Sequence, residues 1–136
     1  STLHASNINI TAINLRGSKE KETTKAKKAD YFKVSFDIDE NRIAASGGKS
    51  LMVCIYHPDG SISVSAGSFT DRNGKTIQYT NKVDINYEQG KKQAVSFQWN
   101  PGNKFETGEY RVEIYNNGFK IGEGKKSLSK STFLGL

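Results

Sequence analysis

The chain has 136 residues, enough to bury a core as one domain, and none of its apolar runs approaches the roughly 18–20 residues a membrane-spanning helix needs. Its single cysteine, Cys54, excludes an intrachain disulfide framework, and a composition rich in Thr, Ser, Asn, Gly, Val, Ile, Tyr and Phe favours strands and turns. The net charge of +6 is uneven: residues 17–29 carry five Lys against two Glu, residues 119–136 four Lys against one Glu, and the rest sums to zero.

The chain opens at Ser1 rather than Met, which points to processing or truncation, so the lack of an export signal carries no information. Ile8, Ile10 and Ala12 share one phase and Ile13 and Leu15 the other, which predicts a strand with a bulge or a switch between sheets. Residues 17–29, GSKEKETTKAKKA, have no apolar period and read as a flexible Lys-rich loop. The next strand is unambiguous, with Phe32, Val34, Phe36 and Ile38 inward and Lys33, Ser35 and Asp37 outward.

Leu51 to Tyr56 is apolar on both faces, as a strand lying between two neighbours would be. Pro58-Asp59-Gly60 is a turn, after which Ile62, Val64 and Ala66 alternate with serines as a strand would. A short strand at Thr76–Tyr79 follows the turn Asp71–Gly74. Val83, Ile85 and Tyr87 form a further inward row, and Val95, Phe97 and Trp99 another. Tyr110, Val112 and Ile114 then lead into Asn117-Gly118, a type I′ turn signal, and Phe119, Ile121, Gly122 and Gly124 return as the last strand. These seven to nine short strands predict an all-β, immunoglobulin-like or fibronectin-like antiparallel β-sandwich, one domain over residues 1–136 with a basic tail at 125–136.

Few residues suggest chemistry. Gly48-Lys49-Ser50 resembles the end of a phosphate-cradling loop, but Ile43 stands where its first glycine belongs and a strand follows where a helix is needed. With two histidines and one cysteine there is no transition-metal ligand pair, and Cys54 reads as a small core residue. Asp37 and Asp39 share a strand face, but a solvated edge accounts for them better than a Ca²⁺ site. No catalytic residue, metal or cofactor is assigned.

Two surfaces remain. Lys25, Lys27 and Lys28 in the loop, with Lys125 and Lys126 in the tail, are candidates for an anionic partner such as a nucleic acid or another anionic polymer. Tyr31 and Tyr115, outward on their strands, are candidates for a face that stacks on sugars or bases.

The segments FKVSFDIDENRIAASG (Phe32–Gly47), VDINYEQGKKQAVSFQW (Val83–Trp99) and TGEYRVEIYNNGFKIGEG (Thr107–Gly124) resemble a C-terminal domain of uncharacterised Bacteroidota proteins that contain coiled coils. The resemblance implies an immunoglobulin-like sandwich with no assigned activity. Gly108-x-Tyr110 is similar to the tyrosine corner of sandwich domains, whereas the Cys–Trp–Cys core of antibody domains is missing. The expected function is therefore a non-catalytic binding or structural module of a cell-envelope protein, its partner a protein or an envelope polymer. Nucleic-acid or anionic-polymer binding, and then carbohydrate binding, are the alternatives.

Overall fold

The computed structural model describes residues 2–130. Its strands are β1 (Ala5–Arg16), β2 (Lys19–Thr23), β3 (Tyr31–Ile38), β4 (Gly47–Tyr56), β5 (Gly67–Thr70), β6 (Thr76–Tyr79), β7 (Asn81–Tyr87), β8 (Gln93–Trp99), β9 (Gly108–Asn116) and β10 (Phe119–Leu128). A 3₁₀ turn, Ala26–Lys28, precedes β3. All strand pairs are antiparallel. Two four-stranded sheets, ordered β2-β1-β3-β8 and β10-β9-β4-β7, form a sandwich, and the β5–β6 hairpin is a third, two-stranded sheet. The expected all-β antiparallel sandwich is what the chain forms, with ten strands among the described residues instead of seven to nine. No helix of the described residues is long and apolar enough to cross a membrane.

The core follows the alternation. Phe32, Val34, Phe36 and Ile38 of β3 are at most 2% exposed and face Val112 and Ile114 of β9 and Leu51, Val53 and Ile55 of β4 in one apolar cluster. Burying each such side chain contributes about 1.5–3 kcal/mol, so this row is a main source of stability. At one end, Phe32 meets Phe105 at 4.6 Å between ring centroids and Tyr110 edge-on at 5.2 Å, with Trp99 alongside. The Tyr110 hydroxyl accepts the Glu106 backbone N–H at 2.9 Å, a tyrosine-corner contact that ties the loop before β9 to the core. The β9–β10 turn has positive φ at Asn117 (52°) and Gly118 (80°), as the Asn-Gly pair requires.

Four expectations need correction. β1 has the expected bulge, but it lies between Ser6 and Asn9, where Asn7 has φ of 53°, while pairing runs unbroken through Ala12 and Ile13, both of which are buried. Residues 61–66 make no strand: Ile62 forms an isolated bridge to Tyr56, and Val64 is 71% exposed.

The Lys-rich segment 17–29 is structured rather than a flexible loop. Gly17 (φ 60°) turns the chain back, β2 pairs with the end of β1, and Ala26 is buried. An edge strand with both faces in water needs ladder hydrogen bonds and no apolar face, and alternating Lys and Glu is an ordinary edge composition. The basic tail is likewise no separate segment at its start. Lys125–Leu128 complete β10, and the expectation for residues 131–136 lies outside the described residues.

β10 approaches β1 closely because two of its residues lack side chains. A Cβ on Gly122 would stand 2.8 Å from Ile8 Cδ1 and 2.9 Å from Ala5 Cβ, and one on Gly124 would stand 2.6 Å from Ile8 Cγ2. Glycine at these two positions therefore sets the spacing of the sheets along this side. That spacing brings the end of β10 beside the segment after β2.

Candidate functional site

The end of β10 and the segment after β2 are joined backbone to backbone. Lys25 and Ser129 form an isolated parallel bridge. The Ala26 N–H donates to the Ser129 carbonyl at 2.9 Å, and the Ser129 N–H donates to the Thr24 carbonyl at 2.7 Å. Lys25 precedes the 3₁₀ turn that carries Lys27 and Lys28. Lys126 leaves β10 on the side of Gly122 and Gly124, toward β1, since alternate strand residues share a face.

Lys25, Lys28 and Lys126 consequently line one concavity of about 410 Å³, together with Thr11, Thr23, Thr24 and Glu22. Three ammonium groups against one carboxylate leave it net positive. The hydroxyls add donors that suit an oxyanion.

The other sequence candidates do not join this site. Lys27 is exposed on the turn but lies outside the lining. Lys125 points to the opposite face of β10 from Lys126, with Nζ 4.0 Å from Glu109 Oε1. Tyr31 and Tyr115 occupy different sheets, so the single stacking face expected of them does not form. The Tyr31 hydroxyl donates to Glu20, which raises its pKa to about 12, and Glu20 also holds Lys33. Tyr115 packs against Phe69 of β5 at 5.0 Å and donates to Glu113 Oε1 at 3.1 Å.

A second polar cluster, not foreseen from the sequence, lies on the outer face of β4, β9 and β10. Glu113 is buried there beside Cys54, and Lys120 Nζ stands 3.8 Å from Glu113 Oε2. The Arg111 Nε lies 3.0 Å from the same oxygen, a charge contact whose angle falls short of a hydrogen bond. Arg111 also sits over the Tyr56 ring at 4.5 Å. The Cys54 Sγ lies 3.4 Å from the Gln78 carbonyl oxygen, and burial pushes the thiol up to about 12, so it stays protonated. This cluster fastens the β5–β6 hairpin over the sheet. Alternation places Glu113 on the outer phase of β9, and it gives no sign that another hairpin covers that phase.

Asp37 and Asp39 are engaged with neighbours. Asn7 Nδ2 donates to Asp37 at 2.9 Å, and His4 Nδ1 lies 2.7 Å from Asp39, which also accepts from Ser6. Among the described residues no group of three or more His, Cys, Asp or Glu is placed to hold a metal ion.

The fold and site define an antiparallel β-sandwich whose basic concavity joins the segment after its second strand to the end of its last. The chain belongs to the family described as Domain of unknown function (DUF8428), whose model matches residues 6–129. No curated protein matches it.

Among solved structures it is similar to part of the Bifidobacterium adolescentis GH3 beta-glucosidase, with TM-score 0.51 and 14% identity over 93% of this chain and 17% of that one. It is also similar to part of the Pseudomonas fluorescens alkylpurine DNA glycosylase AlkC bound to DNA containing an abasic site analog (TM-score 0.51, 12% identity, 93% of this chain, 30% of that one). A third is the Kluyveromyces marxianus beta-glucosidase in complex with glucose (TM-score 0.51, 14% identity, 95% of this chain, 14% of that one). At these identities the likeness is one of fold, and the chain spans less than a third of each of these larger proteins.

Proposed function

We propose that this domain is a non-catalytic binding module of a cell-envelope protein that holds an anionic partner in the concavity lined by Lys25, Lys28 and Lys126. The observation that carries the reading is convergence. Lysines from segments about a hundred residues apart in the chain meet at one depression, and backbone hydrogen bonds through Ser129 keep them there. Charges fixed in place lose less conformational freedom on binding than lysines on a mobile segment would. Ammonium groups and hydroxyls around a depression donate to an oxyanion, which is a binding chemistry. The envelope placement rests on the resemblance set out above, and fractionation of cells producing the parent protein tests it.

The binding test is a titration with an anionic polymer, such as dextran sulfate, across a range of salt. Each lysine that displaces a counterion contributes about 0.7 to the slope of log affinity against log salt, so three contribute about 2. The triple variant Lys25→Gln, Lys28→Gln, Lys126→Gln loses that slope, whereas Lys27→Gln with Lys125→Gln keeps it. Equal losses in the two variants would mean that diffuse charge, and not the concavity, binds the polymer.

A further inference from the structure

The basic concavity does not end at its lysines. Thr11 also lines a neighbouring depression of about 440 Å³ with Lys33, Ser35, Ser96 and Gln98. Ser35 and Ser96 in turn line a third, of about 460 Å³, with Asn7, Asn9 and Asp37. Each shares lining residues with the next, Thr11 and then Ser35 and Ser96, so the three lie in a row as a trough that starts at the β10 edge of the first sheet and continues over its outer face.

The register explains the trough. Along β3, Lys33 is level with Gln98 and Thr11, Ser35 with Ser96 and Asn9, and Asp37 with Ala94. Short side chains at the middle level leave a low floor between taller ones. From Lys33 to Asp37 the floor runs about 13 Å at strand rise, and the basic concavity extends it beyond Thr11.

Charge along this trough is graded. Lys25, Lys28 and Lys126 stand at one end. Lys33 follows, its ammonium already held by Glu20. Hydroxyls and amides come next, and the far end is Asp37, 3.5 Å from Lys92 Nζ.

Past the three lysines both charged positions are already paired, Lys33 with Glu20 and Asp37 with Lys92, so further anions along a polymer with one negative charge per repeat would meet no free cation. A chain acidic at one end and rich in hydroxyls elsewhere fits the whole length, because Ser, Thr, Asn and Gln both donate and accept, as sugar hydroxyls do. Single-stranded nucleic acid relies on exposed rings for stacking. The rings bordering this trough, Phe36 and Phe97, belong to the inward phase, Phe36 buried in the core and Phe97 packed against it.

We propose that the outer face of the first sheet is a groove for an acid-capped oligosaccharide, its terminal carboxylate among Lys25, Lys28 and Lys126 and its neutral sugars along Thr11, Ser35 and Ser96. This deepens the anionic-partner reading and rests on it.

The test compares three probes by NMR titration on the intact domain: free N-acetylneuraminate, sialyllactose, and lactose. The acid alone engages the concavity, and the sialylated sugar binds about tenfold tighter because its neutral part adds a few hydrogen bonds. Ser96→Ile fills the floor with a side chain that cannot stack on a sugar, at an exposed edge-strand position that tolerates a β-branched residue, and Ala94→Ile serves if that variant fails to fold. Either removes the tenfold gain and leaves the affinity for the free acid unchanged. A sialylated sugar no tighter than the free acid, or a gain that survives both variants, overturns the groove while leaving the concavity standing. Free acid that fails to bind at all overturns the anionic reading itself. An oligothymidylate that outcompetes the sialylated sugar and loses its advantage in Ser96→Ile would assign the trough to nucleic acid instead.

Discussion

Gly124→Ala is a one-atom test of how the two sheets are spaced. The new Cβ would stand 2.6 Å from Ile8 Cγ2 and 3.4 Å from Ile10 Cδ1, against an ordinary carbon–carbon separation of about 3.5–4.0 Å. The methyl it meets is on a β-branched side chain with few alternative rotamers, so β10 must retreat from β1 by roughly 1 Å. Overpacking of this kind costs about 1–3 kcal/mol, and replacing glycine inside a strand returns about 0.5–1 kcal/mol, for a net loss of about 1–2 kcal/mol.

Gly48→Ala is the control. It is also in a strand, its Cβ meets nothing within 4 Å, and it therefore leaves stability unchanged or slightly raised. Urea unfolding followed by the fluorescence of Trp99, the only tryptophan, measures both. Removing the obstacle with Ile8→Ala in the Gly124→Ala background recovers part of the loss, and a double-mutant cycle isolates that coupling. Gly124→Ala as stable as the parent, or a cycle with no coupling to Ile8, would refute the steric account of why glycine stands there.

Three further outcomes follow from the same structure. Phe32→Ala removes the ring shared by Phe105, Tyr110 and Trp99 and destabilises by about 3–5 kcal/mol in the same urea assay; a loss under about 1 kcal/mol would mean the aromatic cluster is not a main support. Tyr110→Phe keeps the ring and strands the Glu106 N–H, for a loss of about 1 kcal/mol, and amide hydrogen exchange at Glu106 quickens. The Cys54 thiol sits at about 12 in the folded chain against an ordinary 9.0, so the folded state holds its proton where the unfolded state has released it. Its contribution is complete below pH 9 and is lost as pH rises toward 12, giving weaker urea resistance at alkaline pH that Cys54→Ala lessens, together with slow thiol labelling of the native chain.

The parts of the fold legible in the sequence are those with a buried face. Phe32–Ile38 and Tyr110–Ile114 alternate because one phase meets the core, and Asn117-Gly118 announces its turn by the backbone conformation it tolerates. β2 left no such trace, since a ladder of backbone hydrogen bonds on a charged edge strand has no side-chain signature. Ile62, Val64 and Ala66 alternate like a strand, yet no neighbour supplies a ladder and Val64 faces solvent.

The site was half legible for related reasons. The lysines could be named from charge alone, but which of them meet depends on the Lys25–Ser129 bridge and on the phase of β10, which separates Lys126 from Lys125. Thr11 and Glu22 carried no signal, because their part in the concavity exists only once distant segments are in register.

The central claim is that a particular set of lysines, held in place by the fold, forms the binding site. An NMR titration of the ¹⁵N-labelled domain with a sulfated oligosaccharide reads this residue by residue. Saturable shifts are expected to cluster at Thr11, Thr23, Thr24, Lys25, Lys28 and Lys126, with Lys27 and Lys125 little affected. Shifts spread over every exposed lysine, or centred on the Lys125–Glu109 face, would contradict it.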